Sequence, residues 1–113
     1  MSLPHPGLWR LALGAAVALC TAAPAHADPD VAYGRALVET NCAPCHAVGL
    51  LDRSRHPEAP PLRSLVERYP LDALEEAFAE GIVTGHRDMP EFIATPEQIA
   101  AIIDYIDSLD PHR

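Results

Sequence analysis

A chain of 113 residues with 16 Asp and Glu against 8 Arg and no Lys, a formal net charge of −8, has room for one small domain. Its long-range field repels nucleic acid and anionic membrane surfaces, which makes both poor partners and favours a partner with a basic docking face. No stretch alternates apolar and polar residues as a half-buried strand does, and no repeat or linker interrupts the chain, so the pattern is that of an all-α domain.

Residues 1–27 read as an export signal. Arg10 lies in a basic first region, and an apolar run follows from Leu11 to about Ala23. Pro24-Ala25-His26-Ala27 then places small residues at the two positions a signal peptidase reads, which puts the cut after Ala27 and the mature protein in the periplasm. The apolar run is shorter than the roughly 20 residues of a membrane-spanning helix. Val17-Ala18-Leu19-Cys20 has the outline of a lipidation box, but Leu19 is bulky where a small residue belongs, so Cys20 reads as apolar filler removed with the signal. Cleavage would leave residues 28–113 with two cysteines, no Trp, and seven Arg (the 8 less Arg10) against the same 16 acidic residues. Tyr33, Tyr69, Phe78, Phe92 and Tyr105 are the aromatic residues of this segment. A core of that size is marginal by itself and needs a staple.

Asp28-Pro29 is a helix start, with Asp as the N-cap and Pro at the first helical position. Val31, Gly34, Leu37 and Val38 recur at helical spacing and predict a first helix that ends near Asn41. The next five residues, Cys42-Ala43-Pro44-Cys45-His46, carry the chemistry. Two thiols three positions apart on a short helical segment can both reach the two vinyl groups along one edge of a porphyrin and form thioethers there. The imidazole directly after the second thiol is then carried to the iron. Thioredoxin-like redox pairs and zinc half-sites share the two cysteines but need no His at the next position. A dithiol catalyst would in addition call for strand-helix-strand patterning around the pair, and zinc for a further nearby ligand. A plain disulfide between Cys42 and Cys45 is the remaining alternative.

On this motif, and over most of the residues after position 27, the chain resembles the class I, mono-haem bacterial cytochromes c. In that family a Gly eight residues before the first cysteine lets the N-terminal helix cross close to the C-terminal one, and Gly34 occupies that position. The family often carries an aromatic residue four before the first cysteine, where this chain has Val38. Residues 47–61 show no sustained periodicity and contain Gly49, Pro57, Pro60 and Pro61, which predicts a loop with Arg53, Arg55 and His56 as solvated polar residues. Ala59-Pro60-Pro61-Leu62 resembles the family's Gly-Pro-x-Leu stretch, with Ala59 in place of Gly. The resemblance implies that the Pro60 carbonyl accepts the second ring proton of His46 and that Leu62 packs on the porphyrin.

A short helix is expected over Leu62 to Tyr69, stopped by Pro70. A longer one follows from Leu71 to Glu80, with Leu71, Leu74, Ala77 and Phe78 on one face and Gly81 as its C-terminal stop. These two would form one wall of the pocket, with Arg63, Arg68 and Tyr69 either solvated or bonded to haem propionates. Met89 lies in Gly85-His86-Arg87-Asp88-Met89-Pro90-Glu91-Phe92 and is the one methionine beyond the signal. A lone methionine is usually core filler. Met89, however, sits between helices, far enough after His46 to fold over the opposite haem face, and the family carries its sixth iron ligand in such a Met-Pro turn. His86 and, more distantly, His56 are rival ligands, because an imidazole binds ferric iron better than a thioether does. Thr95-Pro96-Glu97-Gln98 opens the last helix with a capping box. Ile99, Ile102, Ile103, Ile106 and Leu109 form its apolar stripe, Tyr105 lies on the flank facing the first helix, and Asp110-Pro111 ends it. Ile102 and Tyr105 match the aliphatic and aromatic pair with which the family's C-terminal helix meets its N-terminal helix.

The resemblance therefore implies an all-α cytochrome c fold over residues 28–113, a small helical domain wrapped around one covalent haem c with its N- and C-terminal helices crossing. Cys42 and Cys45 would hold the haem and His46 and Met89 the iron, with no catalytic residue. The implied role is that of a monomeric periplasmic one-electron carrier and not an enzyme, working between a dehydrogenase or respiratory membrane complex and a terminal acceptor. Membrane contact would come only through redox complexes. The alternative is a small haem subunit docked permanently in a larger oxidoreductase, although the chain shows no added docking segment.

Overall fold

Local capping decides where the first and last helices begin in the computed structural model, which describes residues 1–3, 28–81 and 88–113. The signal-peptide reading, Cys20 and the rival ligand His86 fall on residues outside these. Helix α1 spans Pro29–Asn41, and the Asp28 carboxylate caps it by accepting the Asp30 N–H at 3.0 Å. A 3-10 turn, Leu62–Ser64, leads into the short helix α2, Leu65–Arg68. Helix α3 spans Leu71–Glu80 and α4 spans Pro96–Ser108. Among the described residues there are four α-helices and no strand, as expected of an all-α domain.

The predicted helix over 62–69 is split. Ser64 N–H and Ser64 Oγ both donate to the Pro61 carbonyl, at 3.0 and 2.7 Å, which tightens the first turn before α-helical pairing can start. The borders of α3 and α4 lie where the pattern put them. Gly81 ends α3 at φ 81°, the left-handed region in which a Cβ is unfavourable. At the start of α4, Gln98 N–H donates to Thr95 Oγ1 at 3.3 Å while Thr95 N–H donates to Gln98 Oε1 at 3.0 Å, a closed capping box.

The core forms where α1 crosses α4. A Cβ built on Gly34 would lie 1.8 Å from the Ala101 carbonyl oxygen and 2.5 Å from its carbon, so the two backbones touch at a distance that no side chain permits. Around this crossing Val38, Ile102 and Ile106 are fully buried, joined by Ile99, Ile103 and Leu109 of the α4 stripe. Leu74 and Phe78 of α3 and Leu62 complete the cluster, each burial of a side chain of this kind contributing about 1.5–3 kcal/mol. Val38 fills its place in the core although it is smaller than the aromatic residue common at that position. Tyr105 does more than line the crossing: its buried hydroxyl donates to the Val48 carbonyl at 2.6 Å and so ties α4 to the loop after the pentapeptide.

Two outcomes follow from this packing. Gly34→Ala should destabilise the haem-loaded protein by about 3 kcal/mol or more in denaturant unfolding, whereas Ala36→Gly on the exposed face of α1 should cost only about 1 kcal/mol. Burial, the largest influence, raises the Tyr105 hydroxyl above its ordinary pKa; Arg35 opposes this, while Glu39 and Asp52 add to it. A raised folded pKa stabilises the fold at every pH below the unfolded value, and that contribution is lost as pH rises through the folded one. Tyr105→Phe should therefore cost about 1 kcal/mol at neutral pH and make the decline of stability above about pH 10 shallower, as measured by unfolding across that range.

Candidate functional site

The last turn of α1 hands the chain directly into the pentapeptide. Cys42 and Ala43 N–H both donate to the Val38 carbonyl, at 2.8 and 3.0 Å, and Cys45 and His46 N–H both donate to the Cys42 carbonyl, at 3.1 and 2.8 Å. This hydrogen-bonded turn brings the two thiols and the imidazole onto one cavity, and neither cysteine is in a disulfide. Burial pushes the Cys42 thiol up to about 11, so it stays protonated at neutral pH. A dithiol exchange centre needs the opposite shift, because the thiolate is the attacking species. Zinc is no better served, since the two thiols and the His46 ring do not gather at metal-ligand spacing.

His46 is oriented from behind. Its Nδ1 lies 2.7 Å from the Pro60 carbonyl oxygen. A carbonyl can only accept, so Nδ1 carries the proton in this bond and Nε2 keeps the lone pair needed to bind a metal. Pro60 is itself held by a loop with few degrees of freedom. Leu62 N–H donates to the Ala47 carbonyl at 2.9 Å, Ala47 N–H to Ser54 Oγ at 2.9 Å, and His56 N–H to the Cys45 carbonyl at 3.1 Å. The Asp52 carboxylate accepts from Val48 and Gly49 N–H at 3.0 and 2.9 Å. Arg63 Nη1 closes the loop by donating to the Gly49 and Asp52 carbonyls at 3.1 and 3.0 Å. Arg63 therefore serves the loop, while Arg68 and Tyr69, its two companions in the sequence reading, border the cavity.

That cavity has a volume of about 880 Å³, within the range of pockets that take a cofactor. Cys42, Cys45 and His46 line it together with Met89, so the four residues singled out from the sequence meet at one site. Leu62 and Leu65 form part of its wall, and Leu74, Ala77 and Phe78 of α3 another part, as the apolar face of that helix predicted. Pro90, Glu91 and Phe92 continue the lining beyond Met89. A large apolar recess with two thiols, one imidazole of fixed tautomer and one thioether has the donor set and the shape for a flat macrocycle with an iron at its centre.

Two placements were not legible in the sequence. Glu58 and Glu91 also border the cavity, and nothing in their spacing marks them beyond the nearness of Glu91 to Met89. His56 is not a solvated residue as expected. It is half-buried, its Nε2 lies 3.0 Å from Asp88 Oδ2, and its Nδ1 accepts the Glu58 N–H at 3.2 Å. The partner stands 32 residues away in sequence, beyond the reach of any local pattern. Arg53 and Arg55 are exposed, as expected.

The family model described as cytochrome c matches residues 31–110, from the first turns of α1 to the residues just past α4. No significant match is found among curated proteins or among solved structures. The match covers the pentapeptide, the helical crossing and the whole cavity wall. The chain belongs to the cytochrome c family, whose members bind haem c covalently and use it for electron transfer.

Proposed function

We propose that this chain is an exported, mono-haem one-electron carrier of class I type, in which Cys42 and Cys45 form the two thioethers and His46 and Met89 supply the axial ligands. The observation that carries the reading is the His46 Nδ1 bond to the Pro60 carbonyl at 2.7 Å, which leaves Nε2 as the metal-binding nitrogen beside a cavity that Met89 also lines. Residues 1–27 would be removed after Ala27 on passage to the periplasm, and no described helix is long and apolar enough to cross a membrane.

When bound, haem c supplies an iron that takes up and gives back one electron. The chain's residues decide how it does so. His46 and Met89 would together hold the iron, which would leave no place on it for oxygen or a substrate and would favour the exchange of one electron without a change of ligands. The Met89 thioether favours ferrous iron and raises the potential relative to a second imidazole. Leu62, Leu65, Leu74 and Phe78 exclude water and disfavour the more highly charged ferric state, acting in the same direction. Arg68 and Tyr69 border the cavity and would be available to hydrogen-bond the haem propionates. Without residues 1–27 the chain has seven Arg against 16 Asp and Glu, a formal charge of −9, which suits a partner with a basic docking face and does not suit direct membrane contact. With both sides of the iron taken by protein ligands, such a carrier would be a substrate of redox enzymes and not an enzyme itself.

Leu50 and Leu51 favour a second reading. They are adjacent and 59% and 95% exposed, an apolar step on the surface that suits permanent docking in an oxidoreductase. Leu50→Asp/Leu51→Asp should leave a free carrier monomeric and fully reducible by its donor. Release of the protein from a membrane complex by the same pair, seen on gel filtration of a detergent extract, would instead establish the docked subunit.

The ligand assignment has its own test. Met89→Ala should abolish the weak far-red band of the oxidised protein and lower the reduction potential by a sizeable part of the roughly 0.8 V that axial ligation spans. An unchanged band and potential would remove Met89 from the iron, while haem colour that survives acidic solvent extraction would still place the thioethers on Cys42 and Cys45.

A further inference from the structure

His56, Glu58 and Asp88 bring one imidazole nitrogen and two carboxylate oxygens within 4.8 Å of one another, a group of donors distinct from those assigned to the haem. We propose that these three residues bind one divalent cation of the zinc class, and that the bound ion clamps the loop after His46 to the segment that carries Met89. The clamp rests on the reading of Met89 as the sixth ligand; the cation site does not.

The donor chemistry selects the ion. An imidazole with two carboxylates suits zinc and its neighbours, whereas calcium and magnesium require sets made of oxygen alone. Two carboxylates balance the charge of the ion, and the acidic chain as a whole attracts cations. Three protein ligands and one water complete a tetrahedral shell.

The geometry is close to what binding requires. His56 Nε2 and Asp88 Oδ2 are already 3.0 Å apart, and zinc bonds of about 2.0–2.2 Å set tetrahedral donors about 3.4 Å from one another. The pair has only to open slightly, and the exposed Glu58 side chain has to close in by rotation. The His56 ring is in place beforehand: its side chain is 24% exposed, and its backbone is pinned by His56 N–H donating to the Cys45 carbonyl at 3.1 Å and by its own carbonyl accepting from Ala59 N–H at 3.2 Å. Because Glu58 N–H donates to Nδ1, the ring proton is on Nε2, between the imidazole and Asp88. Metal binding transfers that proton to solvent, and Nδ1 takes one up in exchange for the 3.2 Å bond from Glu58, so the ring remains neutral. Asp88 immediately precedes Met89. An ion held jointly by residues 56 and 88 therefore replaces the exposed hydrogen bond between His56 and Asp88 with coordination to both segments.

The test is a zinc chloride titration of the secreted, haem-loaded protein by calorimetry, with the far-red band recorded on the same samples. One saturable zinc per chain is expected, with affinity lowered about tenfold or more by His56→Gln and by Asp88→Asn. Saturating zinc should also raise the temperature at which the far-red band is lost in the unsubstituted protein and leave it unmoved in His56→Gln. Absence of saturable binding below about 1 mM, or affinity in both variants unchanged from that of the unsubstituted protein, would overturn the site. Saturable binding with an unmoved far-red midpoint would overturn the clamp. A wild-type protein that lacks the far-red band would instead sink the Met89 assignment, and the zinc titration would still decide the site.

Discussion

The hydrogen bond from His46 Nδ1 to the Pro60 carbonyl joins two points fourteen residues apart and fixes the chemistry of everything between them. It assigns the ring proton to one nitrogen and the lone pair to the other, which decides which nitrogen of the imidazole is available to a metal. The bond depends on where Pro60 sits, and Pro60 depends on a loop whose amides and carbonyls are satisfied by Asp52, Ser54 and Arg63. Loops are ordinarily the mobile part of a small domain. Here the loop is tied down by hydrogen bonds to Asp52, Ser54 and Arg63, and the orientation of the His46 ring is inherited from it.

The remaining structure supplies a recess and the means to keep it dry. The apolar residues of α4 are committed to α1 at the Gly34 crossing, whereas α3 turns Leu74 and Phe78 to the shared cluster and to the cavity at once. A domain that lines a cavity of about 880 Å³ with part of its small apolar inventory has a core that is complete only when the cavity is filled. The covalent group of the family is thus a structural element as well as a redox one, consistent with an aromatic content too low for a self-sufficient core.

Much of this was legible in the chain, and what was not shares a physical cause. Asp28, Thr95 with Gln98, and Gly81 are local signals, each acting within four residues, and they placed the borders of α1, α4 and α3. The pentapeptide is equally local. The cavity around Met89 became foreseeable through family resemblance, since no local rule joins residue 89 to residue 46. The 3-10 turn at Leu62–Ser64 was missed because it arises from a serine hydroxyl that competes for the Pro61 carbonyl. Tyr105 to Val48 and His56 to Asp88 were missed because their partners lie 57 and 32 residues away. Arg63 could not be separated from Arg68 by type or spacing; only the loop's need for a donor to Gly49 and Asp52 separates them.

The crossing of α1 over α4 at Gly34 also orders events in time. Its two halves lie at opposite ends of the matched domain, so the contact that buries Val38 cannot form until the final helix has emerged and returned to the first. Until then the pentapeptide, synthesised some fifty residues earlier than α4's start at Pro96, belongs to an open chain whose thiols meet solvent and carry none of the burial that later suppresses Cys42 ionisation. The burial that raises the Cys42 thiol is therefore a property of the closed domain and not of the pentapeptide by itself.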